Sequence, residues 1–364
     1  MIKIKIEKFL KALEIGGASV SQNKNLPIFG YVKCEVKNNT MTLSSFNGET
    51  AIYKNVEVES DEDIVFGVEP NALNQFLSSV KDAELTLEVA YESLSINHDK
   101  GSIQIPILTE ELSTPDWENE YNVSLNMPTS ALHRWIGIAK DFVSQDELRP
   151  TMTGMYISVK GDEITVCATD AHKLFMDKIG FPSGQNEGAE AIIPVSSFNA
   201  IKKIINDTDI IRMSIGKNTV AFRTEDTKVY CTTIDGKYPN FQAVIPTNNS
   251  VNVTLPVKEL TNSLKRATIS VDKGSFKTKL TFDSNSLSIE CKDEDLNKKS
   301  IEYLPITNDG NDITIGVNSK NLGLSINAVS GDEINMSMSE PSKPIIVKDN
   351  LFPNSLILIM PILL

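Results

Sequence analysis

Three histidines and four cysteines are the side chains of this 364-residue sequence with the plainest chemical potential. His172 sits in Thr169-Asp170-Ala171-His172-Lys173-Leu174 beside a carboxylate, so general-base catalysis and metal ligation are the first chemistries to weigh. Either role needs partners at suitable spacing, and His98 and His133 have no ligand spacing to it. A structural or surface-lining histidine is the better reading, and Asp170 has a turn or capping role open to it. Asp162 and Glu163 form an adjacent acid pair, but neighbours on a turn need not converge on one proton. Cys34, Cys167, Cys231 and Cys291 contain no Cys-x-x-Cys pair and make no disulfide framework, which points to a reducing, cytoplasmic setting. There is no P-loop, no Gly-x-Gly-x-x-Gly after a strand, no nucleophile elbow and no metal-ligand spacing. The sequence therefore predicts no enzymatic activity, no cofactor and no metal.

The element that carries His172 is one of three. Ile164-Thr165-Val166-Cys167-Ala168-Thr169-Asp170 lies 123 residues after Met41-Thr42-Leu43-Ser44-Ser45-Phe46-Asn47 and 123 residues before Leu287-Ser288-Ile289-Glu290-Cys291-Lys292-Asp293. Such a period is the size of a domain, so the chain divides into three like domains, 1–122, 123–250 and 251–364. Apolar spacing predicts two helices in each: Glu7 to about Val20 and one from Pro70, then Thr129 to Phe142 and one from about Val195, then Val257 to Ser270 and Ser319 to Val329. Strand patterns fill the rest, which makes each domain an α+β unit of antiparallel sheet and two helices.

Charge is distributed by element. Net charge is −13, and the three domains carry −10, −1 and −2. The six helical segments together carry +9, which leaves −22 for strands and loops. A basic helical surface with an acidic remainder suits phosphate on one side and discourages random binding elsewhere. Met1-Ile2-Lys3-Ile4-Lys5-Ile6 alternates as a strand rather than a signal peptide, and the apolar run from Leu356 to Leu364 is half the length of a membrane span. A buried last strand accounts for most of that run.

With those features in hand, the chain resembles the bacterial sliding clamps, the β subunits of DNA polymerase III, from end to end. Leu26-Pro27-Ile28-Phe29-Gly30, Ala168-Thr169-Asp170-Ala171-His172-Lys173-Leu174, Asp235-Gly236-Lys237-Tyr238-Pro239-Asn240-Phe241 and Met360-Pro361-Ile362-Leu363-Leu364 carry the resemblance. It implies a head-to-tail homodimer whose six domains close a ring around duplex DNA, read without regard to sequence. It places the dimer contact at Asn74, Ser78 and Ile103 of the first domain, against Ile269 and Glu290 to Lys299 of the third. DNA-facing cations would be Lys11, Lys203 and Arg266 on helices and Lys24 and Arg149 in loops, with Lys8, Lys140, Lys202, Lys265 and Lys320 as further helical cations. Ser196 and Ser197 stand where the family often has basic residues, and Pro150 and Thr151 where it has aromatics.

The same resemblance implies a hydrophobic cleft that takes short linear motifs from the polymerase, the clamp-loader ATPase and repair proteins. Its residues here would be Met152, Thr169, Ala171, His172, Lys173, Leu174, Pro239, Val244, Asn318, Leu358, Met360, Pro361, Ile362, Leu363 and Leu364. Ala171 replaces a glycine of the family and Leu363 a frequent cation, which predicts a greasier cleft. The rival reading is an interaction scaffold on the same fold that does not encircle DNA, motivated by the overall negative charge. No membrane partner is expected.

Overall fold

The computed structural model describes residues 1–21, 26–81, 83–110, 117, 120–181, 188–308 and 310–364. The first series of elements is β1 (Ile2–Lys5), α1 (Ile6–Gly16), β2 (Val32–Lys37), β3 (Thr40–Phe46), β4 (Thr50–Glu57) and the short β5 (Glu59–Ser60). β6 (Ile64–Val68), α2 (Pro70–Ser79), β7 (Glu84–Ala90), β8 (Ser93–His98) and β9 (Gly101–Pro106) complete it. The second begins with β10 (Tyr121–Pro128), α3 (Thr129–Ala139), β11 (Gly154–Lys160), β12 (Glu163–Thr169) and β13 (Lys173–Gly180). It continues through β14 (Ala189–Pro194), α4 (Phe198–Ile205), β15 (Ile210–Gly216), β16 (Thr219–Arg223) and β17 (Thr227–Thr232). The third opens with β18 (Val251–Pro256), α5 (Val257–Ala267), β19 (Lys277–Phe282), β20 (Ser286–Asp293) and β21 (Lys298–Pro305). It closes with β22 (Ile313–Asn318), α6 (Ser319–Asn327), β23 (Glu333–Met338), β24 (Ile345–Asp349) and β25 (Phe352–Ile359). Three similar α+β series thus follow one another, and the expected fold class holds.

The helices end earlier than apolar spacing predicts. α1 stops at Gly16 rather than Val20, and the glycine lets its last turn meet β3, since a Cβ there would stand 2.7 Å from Cβ of Leu43. Beyond it, Ala18 N–H bonds to Ile15 O and Val20 N–H to Gly17 O, three-residue turns in place of α spacing. α3 gives way at Ala139 to the same kind of turn, with Asp141 N–H on Ile138 O and Phe142 N–H on Ala139 O. Short 3-10 turns likewise occupy Val195–Ser197 and Thr268–Ser270, where a longer helix was expected. Starts are better marked: Pro70 occupies the first turn of α2 and the Glu69 carboxylate accepts from Asn71 and Ala72 N–H at 3.0 Å each.

Packing divides the chain into two units, residues 1–136 with 185–234, and residues 137–184 with 235–364. In the first, one sheet runs β5-β1-β7-β8-β9 and another β10-β15-β16-β17-β4-β3-β2-β6. Phe9 and Leu13 of α1 and Leu73 and Leu77 of α2 are buried with Ile2, Val32, Leu43 and Leu85 in one core. The second unit contains the sheet order β11-β12-β13-β25-β24-β23-β18 and the separate sheet β21-β20-β19-β22.

Sheets therefore do not belong to single repeats. β4 of the first series pairs with β17 of the second, Thr50 opposite Cys231 and Lys54 opposite Thr227. β13 of the second pairs with β25 of the third, Lys173 opposite Ile359 and Met176 opposite Leu356. β12 is buried from Ile164 to Thr169 on both faces rather than half-exposed.

Candidate functional site

The turn between β12 and β13 is built by its own side chains. Asp170 Oδ1 accepts the backbone N–H of His172 and of Lys173 at 2.9 Å each. Thr169 Oγ1 donates to Lys173 O at 2.8 Å and accepts from Ala171 N–H at 3.1 Å. Ala171 takes φ of 75°, the left-handed conformation that favours glycine. Lys173 is buried, ion-paired with Asp170 and 5.8 Å above the Phe142 ring, so its charge holds the turn rather than facing solvent. Asp170 is thus a capping residue.

The chain terminus docks on this turn. Leu174 opposes Leu358 across β13 and β25, and Met360 N–H then donates to His172 O at 2.8 Å. Ile362 N–H donates to Gly316 O at 2.8 Å and forms an isolated bridge to that residue at the edge of the β22 sheet. A side chain at Gly316 would collide with Ile362 O and Leu364, and a glycine inside a strand is the signal that foretells such an approach. Gly316 is the contributor that sequence reasoning missed. Asn318, at the end of the same strand, is committed to α6: its Oδ1 accepts from Lys320 and Asn321 N–H, while Nδ2 donates to Ser275 O.

The remaining cleft residues sort by exposure. Met152, Thr169, Lys173, Leu174 and Leu358 are buried and act as supports, whereas Ala171, His172, Val244, Leu363 and Leu364 are exposed and Pro239, Met360, Pro361 and Ile362 lie between. Leu363 is 91% exposed and Leu364 56%, two consecutive leucines in solvent. The segment carrying Pro239 and Val244 is fixed by Tyr238, whose hydroxyl donates to Cys167 O at 3.3 Å and whose ring stacks on Tyr156 at 5.0 Å. The result is an apolar ledge whose tail is tied down by the backbone N–H groups of Met360 and Ile362, bonded to His172 O and Gly316 O.

Catalytic arrangements are not what these groups form. Lys178 Nζ donates to Glu163 at 2.8 Å and, with Thr165, holds that carboxyl below its usual range, the opposite of a proton donor. The four cysteines are buried and unpaired, and burial pushes the Cys34 and Cys231 thiols up to about 12. Among the described residues no group of three His, Cys, Asp or Glu side chains is placed to hold a metal ion, and no helix is long and apolar enough to cross a membrane.

Of the expected DNA-facing cations, Lys11 on α1 pairs with Asp207 at 2.5 Å, Arg149 pairs with Asp146 at 2.8 Å, and Arg266 on α5 pairs with Glu302 at 2.5 Å. Lys203 lies on α4, and Lys24 falls outside the described residues. Of the expected dimer residues, Ile103 lies on the outermost strand β9, Asn74 and Ser78 on α2, and Ile269, 76% exposed, in the turn after α5. Glu290 is held ionised by Lys299 at 3.0 Å, with Lys279 also near.

Three copies of one α+β unit, joined by sheets that continue from copy to copy, define a DNA-clamp fold. Family models for the N-terminal, central and C-terminal domains of the DNA polymerase III beta subunit match residues 1–113, 126–240 and 242–363. The beta sliding clamp of Streptococcus pneumoniae R6 is 24% identical over 94% of both chains, and that of Rickettsia felis 24% identical over the whole of both. Among solved structures, the Thermotoga maritima beta subunit covers 100% of both chains with a TM-score of 0.93 at 18% identity. A Pseudomonas aeruginosa DNA polymerase sliding clamp gives 0.92, also at 18% identity, over 100% of this chain and 99% of that one. The chain belongs to the DNA polymerase III beta subunit family. It is accordingly a DNA sliding clamp, a non-catalytic processivity factor.

Proposed function

We propose that two copies of this chain close head to tail around duplex DNA, in three domains each bounded near residues 122 and 250. The observation that carries this is a junction made twice and left open once. β4 and β13 are each the third strand of a β-hairpin run (β2-β3-β4, β11-β12-β13), and each pairs with the last strand of a later run, β17 or β25. β21 holds the third place in β19-β20-β21 and β9 the last place in β7-β8-β9, yet both are sheet edges. Long unpaired edges invite pairing with another chain. A head-to-tail contact between them on two copies repeats the internal junction and closes a ring. Carrying the internal registers over sets Ile105 opposite the partner's Lys298 and Ile103 opposite the partner's Ser300. Exposed Ile301, Tyr303 and Ile269 lie on or beside the β21 edge, as an interface requires.

DNA would be held by Lys11, Lys203, Arg266, Arg149 and Lys24 through phosphate contacts that carry no sequence information. The ledge of His172, Pro239, Val244 and Met360 to Leu364 would take apolar linear motifs from the polymerase, the loader ATPase and repair proteins in the cytoplasm. Solution mass tests ring closure first: two chains of 40.1 kDa give about 80 kDa. A stable monomer at micromolar concentration would remove this reading and leave the interaction scaffold.

A further inference from the structure

A charged depression of about 670 Å³ lies at the foot of α1, lined by Lys8, Lys11, Lys54, Glu57, Asp207 and Asp226 among others. It holds three lysines and four carboxylates, Glu225 being the fourth, and each lysine has a carboxylate partner. Lys8 reaches Glu57 at 3.0 Å and Lys11 reaches Asp207 at 2.5 Å. Beneath them Lys54, whose side chain is only 6% exposed, bonds Asp226 at 2.6 Å and stands 3.6 Å from the second oxygen of Asp207. Burying an ammonium requires paired carboxylates, so Lys54 fixes Asp207 in place instead of leaving it a free surface acid. Lys11, by contrast, keeps 58% of its side chain in solvent and can swing between partners. Pairs of the same kind recur at Arg149 with Asp146 and at Arg266 with Glu302.

We propose that Asp207 and Glu57 are built-in competitors of DNA phosphate for the α1 lysines. The inference rests on the reading that those lysines face DNA, and adds what limits their grip. An ammonium that exchanges between a neighbouring carboxylate and a passing phosphate never leaves its charge unpaired, so release of one phosphate and capture of the next proceed without a large barrier. A phosphate must displace the carboxylate each time, so each contact is weaker than a free lysine would make it. A clamp that slides needs contacts of this kind. The acid near α1 is, on this account, a device that lowers friction on DNA and not simply surface charge.

The test measures binding of the full-length protein to a fluorescent linear 30-base-pair duplex across a salt series. Four forms are compared: wild type, Asp207→Asn with Glu57→Gln, Lys8→Gln with Lys11→Gln, and the control Glu14→Gln, an exposed carboxylate elsewhere on α1. The acid-to-amide pair is expected to tighten binding by about two- to fivefold per carboxylate and to steepen the salt dependence. The lysine pair weakens binding, and Glu14→Gln changes it less than either. Glu57→Gln alone keeps the test readable should Asp207→Asn disturb the Lys54 cluster. If the lysine pair weakens binding while the acid variants leave it unchanged, or if Glu14→Gln matches their gain, competition is overturned although the lysines do touch DNA. If neither set moves the affinity, the DNA-facing assignment of α1 itself fails.

Discussion

The backbone N–H of Met360 donates to the carbonyl oxygen of His172 at 2.8 Å, binding the end of the chain to the turn that opens β13. The turn and the tail are therefore one surface, with Leu363 and Leu364 projecting from it. Deleting residues 360–364 should lower the affinity of apolar motif peptides at least tenfold, read by fluorescence anisotropy, while the dimer mass stays unchanged. Peptide affinity equal to that of the intact chain would place the peptide elsewhere.

Ala171 holds a left-handed φ of 75° without the freedom of glycine. That conformation is unfavourable by about 1–2 kcal/mol for an L-residue, and the larger unfolded-state entropy of glycine offsets part of it. Ala171→Gly should raise unfolding stability by up to about 1 kcal/mol, and Ala171→Val should lower it by more than 1 kcal/mol because a β-branched side chain fits that region worst. Denaturant midpoints with unchanged slopes would check both.

The Lys54 cluster predicts a pH dependence. Burial alone would raise the Asp226 carboxyl, but the Lys54 and Thr227 hydrogen bonds outweigh it and leave the group below its usual 3.8. A carboxyl lowered in the folded state contributes stability that is fully present above the unfolded value and disappears as pH falls through the folded one. Between about pH 5 and about pH 2, the wild-type melting temperature should therefore fall more steeply than that of Asp226→Asn. Parallel curves would mean that Asp226 titrates alike in both states.

What the sequence made legible follows from what repeats within it. The 123-residue period is visible because Met41, Ile164 and Leu287 take the same place in like strands, each written locally as an alternating run. Pairing of β4 with β17 is not, because edge pairing depends on backbone groups that every sequence carries. Helix ends are hidden for a related reason: apolar spacing continues through Val20 and Phe142, although the backbone turns to three-residue spacing after Gly16 and Ala139. At the site, His172 and the terminal leucines were recognisable as motifs. The contact of Ile362 with Gly316 and the pairing of Lys11 with Asp207 join residues far apart in the chain, and neither leaves more than a strand glycine as a trace.

Closure through the β9 and β21 edges predicts sensitivity to a lost donor. Gln104→Pro in β9 or Ile301→Pro in β21 removes a backbone N–H and should move the solution mass from about 80 kDa towards the 40.1 kDa of one chain, with far-ultraviolet circular dichroism preserved. Proline at Asn252 of β18, on the sheet order that ends β24-β23-β18, serves as an edge control and should leave the dimer intact. Dissociation by the control alone would redirect the interface to that edge.

Encirclement of DNA is the central claim, and topology tests it most directly. The protein, loaded by a matched clamp-loader ATPase onto a nicked circular duplex, is separated from free protein by gel filtration before and after a single restriction cut. Retention on the circle and loss within minutes of linearisation is the predicted result. Equal retention on circular and linear DNA, or none on the circle despite loading, would contradict a ring that holds DNA by surrounding it.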